Sequence, residues 1–160
     1  MQIQNVSEED YYKVINVLNE WWGGREMTHL LPRLFFEHFQ STSFIVEDNE
    51  VLSAFLIGFV SQTNINEAYI HFVGVNPEFR KNGLARELYE LFFAKVRSLG
   101  CNTVRCITTP VNTGSVSFHK SMGFSVSLKT DYAGVGQDRI LFSKNITTSN
   151  CSCSINACVR

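Results

Sequence analysis

The chain has 160 residues, enough for one compact core and too few for two independent ones. Fourteen basic and fifteen acidic side chains leave a formal charge of -1, so no global positive field exists to gather nucleic acid or anionic lipid. Apolar stretches such as Phe44–Val46 and Phe55–Val60 fall far short of the roughly 20 residues of a membrane span. No basic segment followed by an apolar run marks an export signal, so the expected setting is cytoplasmic, with neither nucleic acid nor membrane as a partner.

In chain order, Gln2–Val6 reads as a short strand, and Ser7-Glu8-Glu9-Asp10 as a capping box that opens a helix with the stripe Tyr11, Val14, Ile15, Leu18. Gly23-Gly24 breaks that helix, and a second is expected over Leu30–Phe39 with Pro32 in its first turn. Ser43–Glu47 and Val51–Val60 read as a hairpin around Asp48-Asn49, followed by a strand at Glu67–Val75. From Gly83 to Leu99 the period becomes helical, with Gly100 as terminator. Asn102–Thr108 is a strand, Asn112–Met122 a short helix, and Phe124–Leu128 and Arg139–Lys144 are the last strands. This order implies one α/β or α+β domain, a mixed sheet covered on both faces.

The domain is expected to end near residue 146. Thr147–Arg160 is small, polar and without period, the composition of a disordered extension. Its Cys151, Cys153 and Cys158 have no nearby histidine and match no zinc module, so no metal is expected. Cys101 and Cys106 read as reduced structural thiols.

Chemistry concentrates between Val75 and Ala85, where a strand runs into a helix through Asn76-Pro77-Glu78-Phe79-Arg80-Lys81-Asn82-Gly83-Leu84. Unpaired amides at a helix start, small residues and two cationic side chains suit a pyrophosphate. An ordinary strand-turn-helix with solvated Arg80 and Lys81 has the same spacing. The segment resembles the pyrophosphate-binding motif of the GNAT acetyltransferases, Arg/Gln-x-x-Gly-x-Gly/Ala, met by Arg80, Gly83 and Ala85. Val73-Gly74-Val75-Asn76-Pro77 resembles the strand that leads into it, and Asn112 through Phe124 resembles the family helix that carries Asn, a small residue, Tyr and Gly-Phe.

The resemblance implies a mostly antiparallel sheet of about six to seven strands with about four helices, and acetyl-coenzyme A as co-substrate. It implies that the backbone of Val73 and Val75 pairs with the pantetheine arm, that the amides of Arg80, Lys81, Asn82, Gly83, Leu84 and Ala85 hold the pyrophosphate, and that Asn112 contacts the arm. Ser115 and His119 share the helical face of Asn112; Asn112 also suits a plain helix cap.

The implied reaction is attack of a neutral amine on a thioester, through an oxyanion held by the Val75 amide, with release of a thiolate. An alkylamine has a pKa of about 10.4, so a base or a site that keeps the amine neutral is needed. The family often uses a strand carboxylate, and none stands here. Tyr69, His71, Val73 and Val75 are expected on one strand face, which makes His71 the candidate base, with Tyr69 beside it and Glu67 as the fallback; a structural histidine is the alternative. His119 stands where the family most often places the tyrosine that protonates the leaving thiolate, and is either that acid or a residue lining the groove.

Trp21, Trp22 and Arg25 match the connection that lines the acceptor pocket, facing Tyr132 and Gly134-Val135-Gly136. Aromatic walls with arginine suit an aromatic or carboxylate-bearing amine; core packing of both tryptophans is the alternative. The acceptor is expected to be a small-molecule or peptide amine, with a homodimer possible. A non-catalytic acyl-coenzyme A sensor is the alternative function.

Overall fold

In a computed structural model of the chain, residues 1–147 are described. The expected boundary near residue 146 and the three tail cysteines therefore meet or lie outside the edge of the described residues. The elements are β1 (Gln2–Asn5), α1 (Asp10–Trp21), α2 (Leu34–His38), β2 (Phe44–Asp48), β3 (Val51–Val60), β4 (Glu67–Val75), α3 (Leu84–Ser98), β5 (Thr103–Thr108), α4 (Thr113–Ser121), β6 (Ser125–Lys129) and β7 (Arg139–Asn145), with 3-10 turns at Thr28–Leu30, Gln40–Thr42 and Pro77–Phe79. They form a seven-stranded sheet in the order β1-β2-β3-β4-β5-β7-β6. Only β4 and β5 pair in parallel; the other neighbours are antiparallel.

Each sheet face carries its own core. On one, Leu84, Leu88, Phe92 and Val96 of α3 pack on Ala54, Leu56, Ala68 and Ile70. On the other, Val14, Leu18 and Trp21 of α1, with Phe36 of α2, cover Ile45, Phe55, Ile57 and Phe72. The sequence alternation of β3 supplies both faces, which is why that strand reads as a continuous apolar run.

Two local expectations change. The tight turn between β2 and β3 is centred on Asn49 and Glu50, with φ of 49° and 65°, one residue beyond the expected pair; both central residues adopt the left-handed conformation that a two-residue hairpin requires. The second helix is shorter than the expected Leu30–Phe39. Pro32 disfavours helical backbone at the residue before it, and Leu31 takes φ -129° and ψ 70°, so the segment splits into a 3-10 turn and α2. At the first helix the expected capping box is half formed: Asp10 Oδ2 accepts from the Ser7 amide (2.8 Å) and from the Ser7 hydroxyl (2.9 Å), and no side chain caps the first helical amides.

The relation between β4 and its neighbours positions the site. Against β3, Gly58 faces Ile70 and Ile57 faces Phe72, so His71 is an extra residue that forms a bulge. Beyond it the side chains change face. Ala68, Ile70, Val73 and Val75 belong to the α3 side, whereas Phe72 packs with α1 and α2. His71 stacks on Phe35 of α2, and Tyr69 on Phe59, which meets Phe39. The expected common face of Tyr69, His71, Val73 and Val75 is therefore corrected: the bulge separates the first pair from the second.

Candidate active site

Strands β4 and β5 pair only at Glu67↔Thr103, Ala68↔Val104 and Tyr69↔Arg105, and then separate. The Asn76 amide donates to Ser53 O on the β3 side at 2.9 Å. Because successive amides of a strand point to opposite edges, the N–H and C=O of Val75 and Val73 point into the opening. A cavity of about 1030 Å³ occupies it. Since the sheet is split there, one cavity reaches both faces, touching Trp22 and His71 on the α1–α2 side and Tyr89 and His119 on the α3–α4 side.

At the end of β4 the chain turns through Pro77–Phe79, with Asn76 Oδ1 accepting from the Glu78 amide at 3.0 Å. Arg80 is tied down by its own guanidinium: Nη2 donates to Trp21 O (2.8 Å) and Nε to Val75 O (3.3 Å). It thereby joins the carboxyl end of α1, where helical carbonyls lack partners, to the end of β4. Gly83 precedes α3 with φ 80° and no capping side chain. The first amides of the helix consequently have no intrahelical acceptor. A hollow of about 360 Å³ borders them, lined in part by Lys81, Gly83, Leu84, Ala85 and Phe118. Asn82 lines neither this hollow nor the larger cavity.

Helix α4 forms the opposite wall. Asn112 caps it, its Oδ1 accepting from the Ser115 amide at 3.2 Å, and Asn112, Ser115 and His119 all line the large cavity, as one helical face requires. His119 is 6% exposed and stacks on Phe142 at 4.0 Å. Its Nδ1 lies 2.7 Å from Ser115 O. A carbonyl can only accept, so Nδ1 carries the proton. Burial lowers the pKa of this ring despite the Ser115 bond, so at neutral pH Nε2 has a lone pair. Two donors converge on it, the Tyr89 hydroxyl at 2.8 Å and the Cys106 thiol at 3.3 Å.

His71 has the complementary arrangement. Its Nε2 donates to Leu30 O at 2.6 Å, leaving the lone pair on Nδ1, and burial lowers its pKa as well. The Tyr69 phenol is pushed well up by burial, so it is a hydrogen-bond donor throughout the neutral range. Trp21 is buried against Phe55, Trp22 leans on Phe72 with ring centres 5.0 Å apart, and both also line the cavity with Arg25. Core packing and cavity lining coincide in these two rings. Tyr132 is 48% exposed and its neighbour Ala133, not Tyr132 itself, lines the cavity.

Tyr89, Thr108, Thr109 and Arg139 also line the cavity without a role expected of them from sequence, and so does Cys106, expected only as a structural thiol. Tyr89 had a signal, a hydroxyl inside an apolar helical stripe that must find a partner when buried. Arg139 had none, because only the antiparallel pairing of β7 with β5 brings it beside Thr108.

The family model "Acetyltransferase (GNAT) family" matches residues 9–124. Among solved structures, Ard1 from Thermoplasma volcanium superposes with a TM-score of 0.78 at 18% identity, covering 92% of this chain and 98% of that one. YncA from Salmonella typhimurium, solved with its cofactor acetyl-CoA, gives 0.72 at 17% identity with coverages of 93% and 95%. The aminoglycoside 6'-N-acetyltransferase from Enterococcus faecium gives 0.73 at 16% identity with 93% and 99%. At these identities the superpositions establish the fold. No curated protein sequence matches the chain. The match of the family model over most of the described residues, on a sheet split between β4 and β5 beside an amide-rich helix start, shows that this chain belongs to the GNAT acetyltransferase family and is an N-acetyltransferase.

Proposed function

We propose that the chain transfers the acetyl group of acetyl-coenzyme A to a primary amine by direct attack, with the two ends of the split sheet serving the two substrates. The observation that carries this reading is that the cavity in the opening beyond Tyr69 and Arg105 and the hollow beside the free amides before α3 share Val75, Arg80, Ala85 and Phe118 in their walls. Residues at both places fit the cofactor: backbone groups of Val73 and Val75 have no strand partner on that edge, and the Arg80–Ala85 segment offers amides with an open hollow. Val73, Val75, Asn112 and Ser115 would hold the pantetheine arm, and the amides of Lys81, Gly83, Leu84 and Ala85 the pyrophosphate, while the Arg80 amide stays with Pro77 O and Asn82 only connects the loop. Acetyl-coenzyme A would supply an activated acyl group, and the Val75 amide would stabilise charge on its carbonyl oxygen.

His71 is the proton acceptor in this reading, since Nδ1 keeps a lone pair at neutral pH and the residue lines the cavity along with both tryptophans. Tyr69 acts as a donor that orients the acceptor. His119 holds the position expected of the acid, but its single proton is directed at Ser115 O. It therefore serves to orient Tyr89, whose hydroxyl, kept protonated because burial raises its pKa, can give the departing sulfur a hydrogen bond and not its proton. When that hydroxyl turns away from His119, the Cys106 thiol can take its place at Nε2. Trp21, Trp22 and Arg25 line the acceptor side, with Tyr132 at its rim.

Coenzyme A should raise the melting temperature of the wild-type protein, because it binds only the folded chain. Gly83→Asp, which sets a carboxylate beside the free amides, should remove that shift and amine-dependent thiol release together. A folded Gly83→Asp protein with an undiminished shift would exclude this cofactor site.

A further inference from the structure

The walls of the large cavity carry charge of one sign only. Among the described residues, Arg25, Arg80 and Arg139 line it and no aspartate or glutamate does; residues 148–160 contain no acidic side chain either. Arg80 is occupied by two backbone carbonyls. Arg25 and Arg139 bond only to carbonyls near them in sequence, Trp22 O at 3.4 Å and Asp138 O at 2.9 Å, and neither is within salt-bridge distance of a carboxylate among the described residues.

Four of the acids close in sequence to lining residues are turned to other work. Glu26 accepts from Asn19 Nδ2 and the Thr28 amide. Asp131 and Asp138 close the turn between β6 and β7 through the Gly136 and Asp131 amides. Glu67 pairs with Arg105 at 3.1 Å. A polycationic acceptor entering this cavity would meet two unneutralised guanidinium groups and no counter-charge. An anionic group would meet two forked donors without a competing partner.

The two arginines come from opposite lips, Arg25 from the connection after α1 and Arg139 from the start of β7 beside the end of β5. The lining they share also includes the apolar side chains of Trp22, Met27 and Phe72. The pantetheine arm would take part of the 1030 Å³, which leaves room for a small molecule. We infer that the acceptor is a small primary amine that carries a carboxylate on an apolar or aromatic body, with Arg25 and Arg139 as the carboxylate-binding residues. This inference rests on the acetyl-transfer reading and names its substrate class.

The test compares phenylalanine, its carboxamide and spermine as acceptors in acetyl-coenzyme A-dependent thiol release. Quenching of tryptophan fluorescence by phenylalanine and its carboxamide gives a binding readout independent of turnover. The acid should exceed its amide in kcat/KM and affinity by about tenfold or more, and Arg25→Gln and Arg139→Gln should each collapse that ratio toward one. A coenzyme A-dependent rise in melting temperature verifies that each variant is folded. Equal or better use of the amide or spermine, or an acid-to-amide ratio unchanged in both variants, overturns the inference while leaving acetyl transfer intact. Absence of both the coenzyme A shift and thiol release with any amine overturns the acetyl-transfer reading itself.

Discussion

The Tyr89 hydroxyl donates to Nε2 of His119 across 2.8 Å, joining α3 to α4 at the wall of the cavity. Both groups are buried, and the ring's other nitrogen is held by Ser115 O. Removing either partner therefore has unequal consequences. His119→Phe leaves the Tyr89 hydroxyl without its acceptor and should cost about 1–3 kcal/mol, whereas Tyr89→Phe loses one bond and should cost about 0.5–1.5 kcal/mol. Urea denaturation measures both. If the pair acts as a unit in turnover, each single variant lowers kcat by about 10²-fold and the double variant is scarcely worse. Additive losses in kcat would show that the two residues act separately.

Acidification should begin to lower the protein's stability before its carboxylates titrate. Burial lowers the pKa of both His71 and His119, so in the folded chain they stay neutral at a pH where the unfolded chain has begun to bind protons. Stability is then complete above the unfolded value of about 6.5 and declines as pH falls below it toward the folded values. Urea midpoints between pH 8 and 5 check this, and His71→Asn and His119→Asn should each flatten the slope. A wild-type profile without slope in this window would contradict the buried, neutral state of both rings.

The depressed pKa of His71 also shapes the activity profile. With an acceptor amine of low pKa, kcat/KM should rise with pH through the depressed His71 ionisation, below about 6.5, and this limb should vanish in His71→Asn. Retention of the limb in a folded His71→Asn enzyme would assign the proton acceptor to another group.

Gly74 lies under the Trp22 ring, which lines the large cavity. A Cβ added there would stand 2.5 Å from Phe55 Cε1 and 3.0 Å from Trp22 Cη2, closer than packed atoms approach. Gly74→Ala should cost about 1–3 kcal/mol through overpacking and displace the Trp22 ring. Steady-state kinetics should then register a rise in KM for the amine that exceeds any change in coenzyme A affinity. Proportional losses in both would mean that the strand itself has shifted.

The end of the sheet is anchored at Ile146. Ile146 is 3% exposed, its amide donates to Asn102 O at 2.9 Å, and its carbonyl accepts from Arg97 Nε at 2.7 Å. A chain ended after Thr147 should retain wild-type stability and coenzyme A binding. Ending it after Asn145 removes a buried aliphatic side chain and should cost about 2–5 kcal/mol, read as a fall in the urea midpoint. Equal stability of the two truncations would mean that Ile146 is no anchor.

Local chemistry determined much of this molecule from sequence alone. The period of two in Glu67–Val75, the helical stripe of Leu84, Leu88, Phe92 and Val96, and the break at Gly100 each depend on neighbours within a few residues, and those elements stand where the pattern puts them. The turn from Val75 to Gly83 was legible for the same reason, since free amides and a left-handed glycine are properties of a helix start. The face of His71 was not. Its bulge exists only because β4 is registered against Ile57 and Gly58 of β3, a pairing between distant segments that strand alternation cannot encode. The bond from Tyr89 to His119 likewise spans 30 positions, and Arg25 and Arg139 face one cavity through the divergence of two strands that neither belongs to. Sequence determined which groups were present and how each segment would fold; tertiary pairing decided which groups meet, because burial, charge and proton position depend on neighbours that only the closed chain supplies.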